Sequence, residues 1–147
     1  MAVIRLAAFD PDAASFSALL AESQSEGHRM LLRLAENWAD GSNRFTRSGE
    51  IMLGAWSGDV LVGVGGRNVE PYDPYPRAGR VRHLYVAQGA RREGVGRALI
   101  AAICEGSAGH FDYLNTNAPE TAFAFYERMG FVRLVSGGYA THRLLLA

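Results

Sequence analysis

One stretch, residues 81–103, constrains the fold more than any other part of this chain. Residues 81–86 have the composition of a strand, and apolar positions with helical spacing occupy residues 96–103. Between them lie several arginines together with Gly94 and Gly96. A strand that leads through such a loop to a helix N-terminus directs backbone amides at one spot, and glycines let a ligand approach the main chain. The stretch therefore predicts an anion-binding site.

Composition limits the class of protein further. The chain has 147 residues, of which 48% are hydrophobic, enough for one packed core, and we expect a single domain spanning residues 1–147. All fifteen basic residues are arginine, and fifteen acidic residues balance them, which argues against nucleic-acid binding. The apolar stretches are too short to cross a bilayer, and the N-terminus lacks a signal-peptide pattern, so we expect no membrane association and a cytoplasmic protein.

The periodicity predicts the element order β-α-α-β-β-β-α-β-α-β-β. Strands are expected at residues 2–6, 50–56, 60–68, 80–86, 110–116, 131–135 and 139–146, the last two joined by a turn at residues 136–138. Helices are expected from Asp10-Pro11 onward with Ala13 on the apolar face, from Gly27 to Asp40, after Gly94, and over residues 119–129. This order predicts an α/β fold of the α+β type, with a mixed six- to seven-stranded sheet flanked by about four helices.

The glycine pattern after the fourth strand is weak evidence by itself. Gly63-Val64-Gly65 is a second Gly-x-Gly in a chain with seventeen glycines, and an ordinary strand-to-helix turn could use such glycines only for packing. The sequence has no Walker loop, and the third glycine of a dinucleotide fingerprint is missing. The preceding strand, the following apolar helix and the arginines favour a phosphate site.

Two motifs resemble the signatures of the GNAT acetyltransferase superfamily. Residues 91–96, Arg-Arg-Glu-Gly-Val-Gly, match the Arg/Gln-x-x-Gly-x-Gly/Ala signature that follows the fourth strand of that family. Residues 125–131, Phe-Tyr-Glu-Arg-Met-Gly-Phe, match the aromatic-Tyr-Glu-Lys-Leu-Gly-Phe string that ends its last helix. The order and separation of the motifs agree with the family, as does the element order over nearly the whole chain.

This resemblance implies an acetyl-CoA site without a metal. The backbone of the fourth strand at Leu84, Tyr85 and Val86 would bind the pantetheine amides, which need partners of the kind an unpaired strand edge offers. The loop and first helical turn would hold the pyrophosphate through Arg91, Arg92, Glu93, Gly94, Val95, Gly96 and Arg97. The family often carries an asparagine contact where this chain has Pro119, so Asn115 or Asn117 could replace it. Arg128 either reaches a CoA phosphate or only solvates its helix.

Tyr126 resembles the tyrosine that protonates the departing CoA thiolate in many family members. A phenol is protonated at neutral pH and can donate to a sulfur that leaves as an anion. The alternative is that Tyr126, which shares the apolar face of its helix, belongs only to the core. Cys104 is expected to be an ordinary helical cysteine, since no paired histidine is evident and no zinc-type CxxC pair is present.

The general base is less defined. Where some family members place a carboxylate or histidine on the fourth strand, this chain has Arg80 and Arg82, which cannot act as bases at neutral pH. Glu70, at the end of the third strand, is the predicted catalytic base. His83 is the other candidate, and direct loss of the amine proton to water is a third route.

The predicted function is transfer of an acetyl group from acetyl-CoA to a primary amine of a small molecule or peptide. The alternative is a catalytically silent acyl-CoA sensor, which the missing carboxylate on the fourth strand suggests. Four aromatic residues are candidates to line the acceptor pocket: Trp38, Phe45, Tyr72 and Tyr75. Arg82 could contact an acidic group of the acceptor, and the C-terminal strand pair offers an edge for a homodimer.

Overall fold

A computed structural model describes residues 3–11, 15–135 and 138–146. Within these ranges the strands are β1 Ile4–Ala8, β2 Ile51–Ser57, β3 Val60–Val69, β4 Ala78–Val86, β5 Tyr113–Thr116, β6 Val132–Arg133 and β7 His142–Leu145. The helices are α1 Phe16–Ser25, α2 Met30–Asp40, α3 Val95–Cys104 and α4 Phe123–Arg128. The predicted element order is confirmed.

The strands form one mixed sheet in the order β1-β2-β3-β4-β5-β7-β6. The meander β1 to β4 is antiparallel, β4 and β5 run parallel, and the remaining pairs are antiparallel. The parallel pair is joined through α3, as a β-α-β connection requires. The expected mixed sheet of six to seven strands with about four helices is thus confirmed.

The two parallel strands separate at the centre of the sheet. Strand β4 pairs with β5 only over Ala78–Arg80, so residues 81–86 continue without a partner on that side. On the other side, a β-bulge places His83 and Leu84 opposite the single residue Gly65, and His83 has a φ of 60°. The result is a cleft whose wall is an unpaired strand edge.

Helices cover both faces of the sheet. Helices α1 and α2 pack through Phe16, Leu31 and Leu34 against a cluster that includes Tyr85 of β4. The other face carries α3 and α4, whose Ile100, Ile103 and Tyr126 pack with Val81 of β4. Val81 and Tyr85 point to opposite layers although they are four residues apart, because the bulge at His83 and Leu84 interrupts the regular alternation of the strand.

Several predicted boundaries are wrong. Helix α1 begins at Phe16 rather than at Pro11, and β5 begins at Tyr113 rather than at residue 110, because the amides of His110 and Phe111 still donate to the Ser107 carbonyl in a turn. The predicted helix over residues 119–129 opens with a 3-10 turn before α4, and the predicted strand over residues 131–135 contains only the two residues of β6. Ala2, Ala13, Ser136 and Gly137 lie outside the described residues.

In the described part of the chain, no helix has the length and apolar character needed to span a membrane.

Candidate active site

A cavity of about 740 Å³ occupies the cleft between β4 and β5. Its wall includes β4, the loop before α3, the segment after β5 and one side of α4. Eleven of the predicted site residues line it: Leu84, Tyr85, Val86, Arg91, Arg92, Gly94, Val95, Gly96, Arg97, Tyr126 and Arg128. Glu70, Glu93 and Asn115 are not among its lining residues. The structure thus brings the two sequence motifs to a single cavity.

The end of the cavity at α3 is suited to bind an anion. Among the described residues, no backbone carbonyl accepts the amide hydrogens of residues 92–97, which include the first turn of α3. Gly94 and Arg92 adopt left-handed conformations with φ values of 80° and 70°, which turn the loop into the helix. Free amides at the positive end of a helix dipole are an anion site.

The arginines of the loop have different roles in the structure. Arg91 forms an ion pair with Glu26 at the end of α1, with an N–O distance of 2.6 Å, and donates to the Val86 carbonyl. The Tyr85 hydroxyl also donates to Glu26, and hydrogen bonds from Arg91 and Tyr85 lower the pKa of Glu26 to about 2. Arg91 therefore holds α1 against the end of β4. Arg92 and Arg97 are exposed and lack an ion-pair partner within the described residues, which leaves them available to phosphate.

Tyr126 lies deep in the cavity wall. It is 5% exposed, and its ring packs edge-on against Phe125 and Phe131, with centroid distances of 5.2 Å in both cases. Burial raises the pKa of Tyr126 to about 12, and a hydrogen bond with the Thr116 side chain opposes that shift. The phenol is thus protonated at neutral pH, as a proton donor must be.

His83 is a buried titratable residue on the β4 side of the cavity. It lines the cavity, is 6% exposed, and its Nε2 atom has no hydrogen-bond partner. The main chain of Met30 hydrogen-bonds with the ring. Burial first, then the charges of Arg82, Arg33 and Arg80, lower the pKa of His83 to about 3. The ring is therefore neutral at pH 7, and Nε2 is free to accept a hydrogen bond.

Glu70 and Asn115 form a separate buried cluster. Glu70 is 2% exposed, pairs with Arg80 at 3.0 Å and accepts a hydrogen bond from the Asn115 amide at 3.1 Å. The Asn115 oxygen in turn accepts from Arg143 at 2.8 Å. These contacts use the polar groups that a base or a cofactor contact would need. Asn117, the other asparagine considered, lines the cavity.

The four predicted acceptor-pocket aromatics occupy different environments, and none lines the cavity. Phe45 packs edge-on to His83 with a centroid distance of 5.9 Å, while Trp38 packs against the core under α1 and α2. Tyr72 is 58% exposed and lies against the Arg80 guanidinium, and Tyr75 stacks on Tyr113. Only Phe45 and Tyr72 are thus close to residues of the β4 wall.

Sequence reasoning missed the residues that the connections contribute. His28 and Met30, where α1 leads into α2, line the cavity, as do Thr116 and Thr121 around the end of β5. A usable signal existed for Thr116, because it ends the strand parallel to β4 and ligands collect at such strand ends. No sequence pattern marks His28 or Met30.

Cys104 is half-buried in α3, and burial raises the pKa of its thiol. In the described ranges, no group of three or more His, Cys, Asp or Glu side chains could hold a metal ion.

The comparisons with known proteins agree with this site. Residues 48–133 match the family model described as an acetyltransferase (GNAT) domain. A crystal structure from Exiguobacterium sp. 255-15, assigned to the acetyltransferases, is similar over 97% of this chain and 93% of that chain, with 31% identity and a TM-score of 0.87. A GNAT acetyltransferase from Streptococcus pneumoniae (15% identity, 98% and 100% coverage, TM-score 0.72) and one from Staphylococcus aureus Mu50 (14%, 99% and 100%, 0.69) share the fold.

No curated protein sequence matches the chain significantly. The family model covers more than half of the chain, and it includes the cleft-forming strands β4 and β5 and both sequence motifs. On this evidence the chain belongs to the GNAT acetyltransferase family, a family of acyl-CoA-dependent transferases.

Proposed function

We propose that the chain, acting as one domain over residues 1–147, is an N-acetyltransferase that moves an acetyl group from acetyl-CoA directly to a primary amine. The observation that carries this proposal is one cavity that joins an anion cradle at the start of α3 to a protonated phenol at Tyr126. Direct acyl transfer needs both elements: a site for the donor and an acid for the leaving group.

The residues present fit acetyl-CoA. The free amides of residues 92–97, with Arg92 and Arg97, would hold the pyrophosphate. The unpaired edge of β4 over residues 84–86 would bind the pantetheine amides. Gly96 lines this path and leaves the main chain of the first helical turn accessible, because it has no side chain. Bound acetyl-CoA supplies the thioester that the amine attacks.

The chain's own residues then divide the proton transfers. The neutral His83 ring lines the cavity on the β4 side, with its Nε2 atom buried and without a hydrogen-bond partner, and it bounds the space that the amine enters. As the amine nitrogen bonds to the carbonyl carbon and the carbon–sulfur bond breaks, Tyr126 donates its proton to the sulfur, so that free CoA leaves as a thiol. The amine gives up one proton to water, because an imidazole with a pKa of about 3 is too weak a base to take it, and a proton from water restores Tyr126 after release. Tyr126 thus gives one proton to the leaving sulfur and regains one before the next turnover.

The test is release of CoA thiol from acetyl-CoA in the presence of a panel of primary amines. Tyr126→Phe should lower kcat by about 100-fold, the usual scale for a lost general acid, with little change in the Kd for acetyl-CoA. Tyr75→Phe is the matched control, because that tyrosine lies outside the cavity lining, and it should retain the wild-type rate. An unchanged rate for Tyr126→Phe with every accepted amine would remove Tyr126 from the mechanism.

The same assay separates the enzyme from the alternative, a silent acyl-CoA sensor. Among the described residues, no aspartate or glutamate lines the cavity, which is the observation in favour of the sensor. Tight acetyl-CoA binding without thiol release for any amine of the panel would establish the sensor and refute the transferase.

A further inference from the structure

Arg82 faces the layer of α1 and α2. Its neighbour Val81 packs with Ile100 and Tyr126 on the opposite layer, so strand alternation turns Arg82 away from them. Val81 and His83, the residues on either side of Arg82, both line the cavity. The cavity is lined from the α1–α2 layer by His28 and Met30. Arg82 is not itself among the lining residues, but it lies between two of them on the side of β4 that faces α1 and α2.

The arginines around this position are only partly neutralised. Arg80 pairs with Glu70 at 3.0 Å, and Arg143 approaches Asp73 at 4.0 Å. Arg82 is half-buried, yet within the described residues it forms no hydrogen bond and no ion pair. Burial, followed by the charge of Arg80, lowers the pKa of Arg82, and the charges of Tyr72 and Glu70 oppose this shift.

A second unpaired arginine extends this charge toward the surface. Arg33, exposed on α2, also has no carboxylate partner in the described ranges. It lies one helical turn after Met30, which lines the cavity, and therefore on the same side of the helix. In the described part of the chain, Arg82 and Arg33 thus leave two positive charges without an ion-pair partner, each close in sequence to residues that line the cavity.

This arrangement has a chemical consequence for the acceptor. A guanidinium half-removed from water without a counter-ion is unfavourable, and its planar fork matches a carboxylate or phosphate. The positive potential repels an ammonium ion and favours the neutral amine that attack requires. A simple cationic amine gains nothing here, whereas an amine that also carries an oxyanion is both held and deprotonated more easily.

We infer that the acceptor bears an oxyanion, a carboxylate or phosphate, near its amine, and that Arg82 and Arg33 bind it. This inference rests on the proposed N-acetyltransferase function. It names the class of substrate, while Tyr126 and the α3 cradle concern only the donor and the leaving group.

The experiment compares matched amines in the thiol-release assay: β-alanine against β-alaninamide, and O-phosphoethanolamine against ethanolamine. The anionic member of at least one pair should have a kcat/KM at least tenfold higher, and the pair that discriminates identifies carboxylate or phosphate. Arg82→Gln and Arg33→Gln should each reduce that preference several-fold through KM, and Arg82→Lys should restore part of it. Arg47→Gln, an exposed arginine in the loop after α2, should retain it.

Equal or better turnover of the uncharged members, or a preference that survives both glutamine variants, would overturn the inference while leaving the transferase intact.

A second measurement does not need turnover. N-acetyl-β-alanine and N-acetyl-O-phosphoethanolamine are titrated calorimetrically into the protein with CoA. Binding that Arg82→Gln weakens at least tenfold supports the anion site, and no binding to the wild-type protein refutes it. Failure of the transferase itself appears separately, as acetyl-CoA binding without thiol release.

Discussion

At the residue scale, the ion pair of Glu70 with Arg80 is a structural element beside the cavity. Both side chains are buried, and Glu70 also accepts hydrogen bonds from Asn115 and from the Tyr72 amide. Removing one member of a buried pair leaves the other charge unsatisfied in the interior. Glu70→Ala should therefore lower the free energy of unfolding by about 3–5 kcal/mol, measured by urea denaturation.

Glu36→Ala is the matched control for Glu70→Ala, because Glu36 is an exposed glutamate on α2, and its effect should stay within about 0.5 kcal/mol. A Glu70 variant that keeps wild-type stability but loses thiol release would contradict the structural role and restore Glu70 as the catalytic base.

The part of the candidate site that sequence can indicate is the part whose role depends on the backbone. The glycines and the strand-to-helix loop are visible in the sequence because a specific main-chain path needs them. Side-chain roles were harder to predict. Whether Glu70 or His83 meets the cavity depends on a β-bulge and on a partner, Arg80, that lies ten residues farther along the chain. Sequence spacing does not specify such a contact.

At the scale of elements, the N-terminus of α3 contributes both to packing and to the proposed CoA site. A substitution at Gly96 tests these two roles separately. A Cβ atom at this position would lie 3.5 Å from Phe125 and 3.7 Å from Val86, which are ordinary contacts. Alanine also favours a helix over glycine. Gly96→Ala should raise the free energy of unfolding by about 0.5–1 kcal/mol and raise the Kd for CoA about tenfold, because the methyl group enters the cavity.

Gly89→Ala is the control for Gly96→Ala, since a Cβ atom there meets nothing within 4 Å and Gly89 does not line the cavity. It should leave CoA affinity unchanged. Denaturation and calorimetric titration of CoA measure the two effects. Unchanged CoA affinity for Gly96→Ala would mean that this glycine serves only packing, the alternative that the sequence left open.

Element order was predictable because apolar periodicity and turn residues repeat along the chain. Gly41, with φ of 80°, ends α2 where expected. Element ends were less predictable. The Asp10-Pro11 pair has the form of a helix start, yet α1 begins at Phe16. The registers of β4 against β3 and β5, which create the cleft, result from packing between distant segments and leave no local pattern.

At the scale of the whole molecule, a neutral imidazole in the core makes stability depend on pH. The pKa of His83 falls from 6.5 to about 3, because burial and the charges of Arg82, Arg33 and Arg80 disfavour its protonated form. The unfolded chain therefore binds a proton as pH drops below 6.5, while the folded protein does not until about pH 3. The contribution of the neutral His83 ring to the free energy of unfolding is therefore complete above pH 6.5 and is lost progressively as the pH falls below that value.

Carboxyl groups contribute little to this effect between pH 7 and pH 5. Their pKa values in the unfolded chain lie near 4, so they stay ionised in both states over this range. Glu26, whose pKa is about 2 in the folded protein, acts only below pH 4.5. The arginines around His83 stay charged throughout. Between pH 7 and pH 5, the pH dependence of the free energy of unfolding therefore reports on the histidines.

The free energy of unfolding should fall by about 2 kcal/mol between pH 7 and pH 5, at the rate of ~1.4 kcal/mol per pH unit that one proton gives below pH 6.5. His83→Gln should have a much flatter profile over this interval, whatever its absolute stability, because no titrating group remains at that position. His110→Gln, which removes an exposed histidine, should keep the wild-type slope.

Urea denaturation at pH 7, 6 and 5 measures the slopes of the wild type and of both variants. Equal slopes for the wild type and His83→Gln would mean that His83 binds its proton in the folded state as readily as in the unfolded chain, and that the imidazole beside Arg82 is not held neutral by the fold.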